Sequence, residues 1–472
     1  MGGMSKTYRP WQIHQPMLLP PSVQELVPAD HVAHFVRDLV CDSLDLSAIL
    51  IAYNEERGYP PYHPAMMTAL LLYSYCQGVY SSRRIAQACE QRVDFMAVTA
   101  LQAPDFRTIS AFRKRHLAAL GGLFGQVLAL CERAGLVKLG HVALDGTKIK
   151  ANASKHKAMS YGRMKQREAE LAAEVQAWLE QAAAADAAED DAFGRERRGD
   201  ELPAWAANRS KRLAKISAAK AALEAEAAAT AEAAGAAPEP SAPPRDDADG
   251  GEGASCAPPE GAPPEGAPPE GAPQAPAAVP PDKAQRNFTD PESRIMKTAN
   301  GFEQAYNAQA VVDADSQVIV AASLTNAGTD QQQVTPMAAQ IEANTGRRPK
   351  ELSADSGYCS EANLAELERR GIRGYLATGR QKHGTASATR KRARRSDTRV
   401  ARMSRRLKCG GHRSRYRLRK QTVEPVFGQI KAARGFRQFH LRGLAQVGAE
   451  WQLICLAHNL LKLARAGQVG GR

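Results

Sequence analysis

Apolar residues recur at helical spacing through the first third of the chain. The repeats run through Pro64–Tyr80, Arg84–Val98 and Ile109–Ala134, with polar residues between them. A period of three to four residues is the pattern of helices that bury one face. We therefore predict an all-α domain over residues 1–136.

The third repeat overlaps a basic stretch, Pro104–His116. Thr108 or Ser110 is the candidate cap of its helix, and a cluster of basic side chains follows. Tandem short helices with basic side chains suit a helix-turn-helix DNA-binding domain. An ordinary helical domain with a polar face explains the same pattern equally well.

From residue 137 onward, strand patterns alternate with helical ones. Three strand patterns and then alternating helices and strands predict an α/β domain: a mixed sheet with helices on both faces. The predicted strands are 138–150, 305–312, 317–324, 351–354 and 373–377. The predicted helices are 330–344, 360–370, one that begins near Arg419, and 448–466.

Residues 151–298 interrupt this domain and read as an insertion. Residues 160–234 are rich in Ala and Glu with spaced apolar positions, which predicts two long helices, and we assign residues 156–234 as a helical insertion. Residues 235–298 contain the repeat Pro-Pro-Glu-Gly-Ala and cannot bury a core, so we predict a disordered linker there. The α/β domain accordingly comprises residues 137–155 and 299–466.

The positive charge of the chain is concentrated in one segment. The 472 residues carry a net charge of +13, but Arg380–Lys420 alone holds 17 Lys and Arg against one acid, Asp397. That segment therefore carries +16 and the remainder −3. A solvated tail is the ordinary explanation of a charge run. This run is internal and precedes a patterned segment, which favours a nucleic acid partner whose phosphates it neutralises.

Several classes of protein are disfavoured. The apolar stretches are too short to cross a bilayer, and the first fifteen residues lack the apolar core of a secretory signal. The eight cysteines are scattered and form no Cys-x-x-Cys pair, which is typical of reduced thiols in a cytoplasmic protein. Cys409 and His412 have half of a zinc spacing without a second half nearby.

Three acids stand out by their positions. Asp145 lies in the first predicted strand, Asp355 follows the fourth, and Glu424 lies in the helix after the basic segment. Each has an ordinary structural explanation. Asp145 could belong to a hairpin turn with its glycine neighbour, Asp355 could cap a turn, and Glu424 could be a first-turn acid before Pro425.

Taken together, the three acids predict a metal site. Ligands collect at the loop ends of neighbouring strands in such sheets. Two aspartates there and a glutamate from a covering helix would form an oxygen-only pocket that suits Mg²⁺ or Mn²⁺. Two such ions about 4 Å apart can activate an attacking oxygen and stabilise a leaving one at a phosphodiester.

Around these acids, the motifs Leu144–Lys148, Ala354–Tyr358 and Val423–Lys431 resemble those of the DDE transposases of bacterial insertion sequences. The resemblance extends to the opening stretch Tyr8–Val36 and covers nearly all of the chain outside 151–298. It implies a ribonuclease-H-like fold for the α/β domain.

The signature of that family around its glutamate is Tyr-x2-Arg-x3-Glu-x6-Lys. Glu424 and Lys431 fit it, and Tyr416 and Arg419 fit its opening, but one extra residue separates Arg419 from Glu424. Lys420 has the expected spacing with a different side chain. On a regular helix Arg417, Lys420 and Lys431 lie within about 40° of Glu424, whereas Arg419 is about 140° away. Which base meets a phosphate beside Glu424 stays open.

The resemblance implies a transposase that cleaves DNA at element ends and joins the 3′-hydroxyl to target DNA. Asp145, Asp355 and Glu424 would be catalytic and would hold two Mg²⁺ or Mn²⁺ ions. The implied partners are double-stranded DNA and further copies in a homodimer or larger assembly, with no membrane, in the cytoplasm at the nucleoid. A DNA-binding regulator without activity and a metal-dependent nuclease of the same fold are the alternatives. The candidate DNA-binding residues are Lys431, Lys420, Arg417, Arg419, Tyr416, Lys148, Arg113, Lys114 and Arg115.

Overall fold

The computed structural model describes residues 22–53, 61–193, 204–235, 279–298, 301–379, 398–410 and 414–470. The chain divides into two compact units, one formed by Met1–Lys155 with Glu292–Arg472 and the other by His156–Pro291. Most of the predicted linker and much of the basic segment lie outside the described residues, as do Tyr8 and His412.

The N-terminal region is helical, as the apolar spacing predicts. Its helices are α1 (Val32–Asp42), α2 (Ser47–Leu50), α3 (Pro64–Cys76), α4 (Ser82–Gln91), α5 (Val93–Thr99), α6 (Phe106–Arg115) and α7 (Leu117–Arg133). The apolar repeat over 84–98 spans two helices, because Arg92 is extended with φ −119° and ψ 122°. The predicted cap of α6 is wrong. The Asp105 carboxylate accepts from the backbone N–H of Arg107, so α6 begins before Thr108.

The rest of the chain alternates strands and helices, in the order that follows. The elements are β1 (His141–Lys150), β2 (Ala158–Ser160), α8 (Tyr161–Phe193), α9 (Ala204–Gly235), β3 (Gln285–Asn287), β4 (Arg294–Thr298), β5 (Gly301–Asp313), β6 (Ile319–Thr325), α10 (Val334–Thr345), β7 (Glu351–Ala354), α11 (Glu361–Arg369), β8 (Arg373–Leu376), α12 (Arg399–Gly410), α13 (Leu418–Gly428) and α14 (Leu444–Gly470).

One mixed sheet organises the first unit. Its central order is β5-β1-β7-β8, with β1 antiparallel to β5 and parallel to β7, and with β7 parallel to β8. The other edge of β5 pairs antiparallel first with β4 and then with β6. This mixed sheet with helices is the ribonuclease-H-like architecture that the sequence predicts.

Helices cover both faces of the sheet. The Ser323 hydroxyl contacts the Met337 sulfur, 3.1 Å away, so α10 packs on the face that Ser323 shares with Gln309 and Gly146. On the opposite face, Lys431, which directly follows α13, donates to the Thr147 hydroxyl. Between Trp451 and Leu460, α14 is almost wholly buried because it lies between the sheet and α7 and α3.

The second unit is built on a helical hairpin. α8 and α9 pack through Met164, Leu171, Ile216 and Leu223, and Lys220 on α9 donates to the Glu168 carboxylate at 2.8 Å. β2 and β3 pair antiparallel beside it. α8 and α9 are the two long helices that the apolar spacing of residues 160–234 predicts.

The predicted disordered linker extends too far at its C-terminal end. Gln285–Asn287 forms β3 and Arg294–Thr298 forms β4, both inside the range assigned to it. β4 is ordered because β5 supplies a complete antiparallel partner, a contact that local composition does not reveal. The other domain boundaries stay predictions. Among the described helices, none is long and apolar enough to cross a membrane.

A buried acid fixes the turn that precedes α14. Glu450 is fully buried, and its carboxylate accepts from the backbone N–H groups of His440 and Leu441 at 3.1 and 3.0 Å. Burial raises the pKa of Glu450 to about 7, although these N–H groups and Arg113 oppose the shift. The folded chain therefore keeps a proton that the unfolded chain loses near pH 4.5.

Replacing this acid with its neutral isostere should change the pH dependence of stability. A group whose pKa is raised on folding stabilises fully below its unfolded pKa, and that contribution disappears as the pH rises through the folded pKa. The free energy of unfolding of Glu450→Gln should therefore rise relative to the wild type by about 1–3 kcal/mol between pH 5 and pH 8. Urea titrations at both pH values measure this. Glu90→Gln, at an exposed position on α4, is the control, and a difference independent of pH would contradict the expectation.

Candidate active site

Asp145 lies in the middle of the central strand. It is opposite Ala310 in the β1–β5 ladder, and Gly146 continues the ladder opposite Gln309. The Asp145-Gly146 pair is therefore not a hairpin turn. One carboxylate oxygen accepts from the Gly146 N–H at 3.0 Å and the other accepts from Arg419 at 2.7 Å.

Asp355 comes beside Asp145 through the parallel pairing of β1 with β7. Ala143 is in register with Ser353, and each aspartate lies two residues further along its own strand. Because side chains two residues apart point to the same face, both carboxylates lie on the face of Ala143 and Ser353. Asp355 also caps the following turn, since its carboxylate accepts from the Gly357 N–H at 2.8 Å.

Glu424 lies in the interior of α13, not in its first turn. Pro425 follows it inside the helix and has no N–H to donate to the Gln421 carbonyl. That carbonyl accepts instead from the Gln317 side chain at 3.3 Å. α13 then continues into a π-helical turn, Gln429–Ala433. The contact with Gln317, on the turn between β5 and β6, thus helps to hold the helix of Glu424 in place against the sheet.

Asp145, Asp355 and the helix that carries Glu424 lie on the same side of the sheet. Thr147 has the same orientation as Asp145 on β1, and Lys431, after α13, donates to its hydroxyl. Arg419 on α13 connects the acids directly, because its guanidinium lies 2.7 Å from Asp145 and 3.9 Å from Glu424. The structure thus brings Asp145, Asp355 and the Glu424 helix to one place.

Arg419 is the basic residue that most directly offsets the negative charge around Asp145. Burial raises the pKa of Asp145 to about 6, the charges of Asp355 and Asp330 add to the shift, and Arg419 opposes it. The Asp145 and Arg419 side chains are only 16% and 13% exposed, so water screens the pair weakly. Arg419 therefore compensates excess negative charge at the site.

The basic residues around Glu424 differ from the helical-wheel expectation. Arg419 reaches the carboxylates, although the wheel placed it on the far side of the helix. Arg417 belongs to a 3₁₀ turn before α13, where a wheel does not apply, and its side chain is exposed, as is that of Lys420. The long Arg419 side chain crosses the helix surface because the buried Asp145 carboxylate attracts it.

Two further predicted bases lie at the sheet. The Lys431 ammonium donates to the Thr147 hydroxyl and to the Lys148 carbonyl at 3.0 Å, and burial lowers its pKa. Lys148 points to the opposite face from Asp145, where its ammonium lies 3.3 Å from the Asp330 carboxylate. Tyr416 is half-buried in the turn before α13.

The prediction that Arg113 binds DNA is wrong. Its side chain is buried and donates to the Tyr80 carbonyl at 2.7 Å and to the Ser82 hydroxyl at 3.0 Å. Because Arg113 lies on the buried face of α6, its guanidinium must find hydrogen-bond partners inside the protein. Lys114 and Arg115 are exposed, and Arg115 stacks over the Tyr53 ring.

The chemistry of the donors suits a hard divalent cation. Carboxylate oxygens from Asp145 and Asp355 are the ligands that Mg²⁺ and Mn²⁺ prefer. The pKa of Asp145 is raised first by burial and then by the charges of Asp355 and Asp330, and a bound cation would stabilise its ionised form. Within the described ranges, no three His, Cys, Asp or Glu side chains are close enough together to hold a metal ion. The Arg419 guanidinium lies beside Asp145 and Glu424.

Sequence reasoning missed Asp330, which lies between β6 and α10. Its carboxylate accepts from the side chains of Asn307 and Gln309 at 2.6 and 2.8 Å. Its only local signal is an acid before a helix, which ordinarily indicates a cap. The contacts that define it come from other strands.

Comparison with known protein families gives one match in the N-terminal part of the chain and one in the C-terminal part. A family model described as Transposase domain (DUF772) matches residues 21–115, and one described as Transposase DDE domain matches residues 277–460. The second match contains Asp355 and Glu424 and begins after Asp145. No curated protein and no solved structure matches the chain.

The fold, the acids and these matches define a DDE-type transposase domain joined to a second transposase domain. Both matches are to transposase domains, which is consistent with a DDE transposase of an insertion sequence, and transposase families of this kind bind DNA and generally use divalent metal ions. The two matches support DNA transposition as the general function.

Removing Arg419 should destabilise the protein through the Asp145 carboxylate. Leaving one member of a buried ion pair alone is expensive, so Arg419→Ala should lower the free energy of unfolding by about 2–4 kcal/mol. In an Asp145→Asn background the same change should cost less than half as much, because no buried charge is left uncompensated. Urea denaturation of the wild type, the two single variants and the double variant measures this.

Lys420→Ala, at an exposed position on the same helix, is the control, and its free energy of unfolding should stay within about 0.5 kcal/mol of the wild type. Equal costs in both backgrounds would rule out the proposed compensation.

Proposed function

We propose that the protein cleaves DNA strands at the ends of a mobile element and joins the freed 3′-hydroxyl to target DNA. The observation that carries the proposal is the convergence of Asp145, Asp355 and the Glu424 helix on one face of the sheet. The match to a transposase DDE domain adds to it.

Asp145 and Asp355 would hold two Mg²⁺ or Mn²⁺ ions, with Glu424 completing the site. When bound, such ions supply Lewis-acid activation of the attacking oxygen and charge stabilisation at the phosphodiester. The attacking oxygen, first of water and then of the 3′-hydroxyl, forms a bond to phosphorus as the bond to the leaving oxygen breaks. Its proton passes to solvent. No side chain needs to form a covalent bond to DNA.

Arg419 has a second role in this proposal. Its guanidinium borders both Asp145 and Glu424, and a guanidinium binds phosphate oxygens in the same bidentate manner as carboxylates. A DNA phosphate at this site would therefore draw Arg419 away from Asp145 and leave that carboxylate to a cation. Lys431 is held beside Thr147 and would support the same strand.

Exposed bases elsewhere would hold the DNA backbone. α12 presents Arg405 and Lys408 to solvent, and α6 presents Arg107 and Lys114. The charge of these bases suits phosphate contacts, which position DNA without reading its sequence. The assembly of two or more copies and the location of the protein at the nucleoid stay predictions.

A strand-transfer assay with labelled element ends tests the reaction. Wild-type protein with Mg²⁺ should give cleaved ends and product joined to target DNA. Asp355→Ala should slow cleavage by at least about 1,000-fold while DNA affinity survives, because several kcal/mol of charge stabilisation are lost. Asp315→Ala, an exposed acid on the β5–β6 turn, is the matched control. Cleavage without joining would favour the nuclease, and binding alone would favour the regulator.

The N-terminal contribution to DNA binding is tested by salt titration. Lys114→Ala should reduce the slope of log K against log salt by about 0.9, the effect of one lost phosphate contact. Arg113→Ala, one residue away, should instead lower the melting temperature, because its buried hydrogen bonds are lost. An unchanged salt slope for Lys114→Ala would remove α6 from the proposed DNA interface.

A further inference from the structure

A polar network lies on the face of the sheet opposite the three acids. Asp330 is at its centre, in the position of a cap for the short turn that precedes α10, but its side chain caps nothing there. One carboxylate oxygen accepts instead from three side chains: Asn307 at 2.6 Å, Gln309 at 2.8 Å and Lys148 at 3.3 Å. Asn307 and Gln309 are fully buried, so protein groups must satisfy them.

The network continues from β5 to the turn that carries Asp355. The hydroxyl of Tyr358, which is also fully buried, donates to the Gln309 side-chain oxygen. Lys148 belongs to β1, three residues after Asp145, and Tyr358 is three residues after Asp355. Asp330 thus links the two segments that hold the aspartates, through partners on β5.

Two glycines leave room for this network beside the aspartates. A Cβ added at Gly146 would lie 2.8 Å from one Asp330 oxygen and 2.9 Å from the Asn307 oxygen. A Cβ added at Gly357 would lie 3.6 Å from the other Asp330 oxygen and 3.1 Å from Asp355. The Asp330 carboxylate therefore lies close to the backbone next to both aspartates, where a side chain in place of either glycine would approach it.

We infer that Asp330 is a positioning residue that holds Asp145 and Asp355 in place from the opposite face of the sheet. This inference rests on the proposed function of those two aspartates. Without the Asp330 carboxylate, the donors of Lys148, Asn307 and Gln309 lose a shared acceptor in a buried place. Gln309 then keeps only the Asn307 oxygen as an acceptor for its amide, so the Tyr358 hydrogen bond that anchors the Asp355 turn has a less firmly held partner.

Hydrogen exchange tests the structural part of this inference without any activity. In Asp330→Ala, amide exchange should accelerate at least tenfold in peptides that cover 145–150 and 355–360. It should stay unchanged in peptides from α14 and the N-terminal helices. Asp315→Ala serves as the control for a lost aspartate on the same sheet, since its side chain is 58% exposed and pairs only loosely with Lys138. Unchanged exchange in both segments of Asp330→Ala would overturn the inference.

Cleavage kinetics test the consequence for the reaction. With saturating DNA and Mg²⁺, the single-turnover cleavage rate of Asp330→Ala should fall about 100-fold, while DNA affinity stays within about twofold of the wild type. Asp330→Asn keeps an acceptor and should recover at least a tenth of the wild-type rate. Tyr358→Phe should also slow cleavage. Its combination with Asp330→Ala should be no slower than Asp330→Ala alone, because both changes break one linkage.

The outcomes separate this inference from the proposed function. If the wild type cleaves and Asp330→Ala cleaves at the same rate, the inference is overturned and the proposed function stands. If the wild type does not cleave, the proposed function fails, and hydrogen exchange still decides whether Asp330 holds the two segments. Additive rate losses for Asp330→Ala and Tyr358→Phe would also overturn the inference.

Discussion

The parallel pairing of β1 with β7 is the constraint on which the rest of the site depends. It sets Asp145 and Asp355 side by side on one face, where burial, and then the negative charges of Asp355 and Asp330, disfavour the ionised form of Asp145. A positive charge is needed there, and Arg419 supplies one by crossing the surface of its own helix. In the proposed reaction, DNA phosphates and divalent cations would replace that internal pairing when substrate binds. The stability of the free protein and the proposed chemistry of the complex therefore both depend on how the negative charge around Asp145 is neutralised.

The helix that carries Glu424 is braced along its length. Pro425 removes one of its backbone hydrogen bonds, and Gln317 from the sheet supplies a partner for the free carbonyl. Beyond the π-helical turn, the Arg434 carbonyl accepts from the Tyr80 hydroxyl at 3.1 Å. Gly78, with φ +73°, permits this approach, because an added Cβ would lie 2.6 Å from the same carbonyl. The N-terminal helices thus support the position of the helix that carries Glu424.

Much of this could be predicted from local pattern. β7 and α11 lie within one residue of their predicted bounds, because Ser360 and Gly371 mark the ends of α11. The three acids follow from strand ends and motif spacing. The roles of Arg419, Arg113 and Asp330 could not be predicted, since each depends on partners distant in the chain. A basic residue on a helix gives the same local signal whether it meets a carboxylate, a buried carbonyl or solvent.

Anomalous diffraction from the protein bound to element-end DNA and Mn²⁺ tests whether the carboxylates of the site hold metal. We expect manganese within coordination distance of oxygens from both Asp145 and Asp355, with Glu424 beside it and Arg419 turned from Asp145 to a DNA phosphate. Manganese bound elsewhere, or an intact ion pair of Arg419 with Asp145 and no manganese beside it, would overturn the proposed metal site.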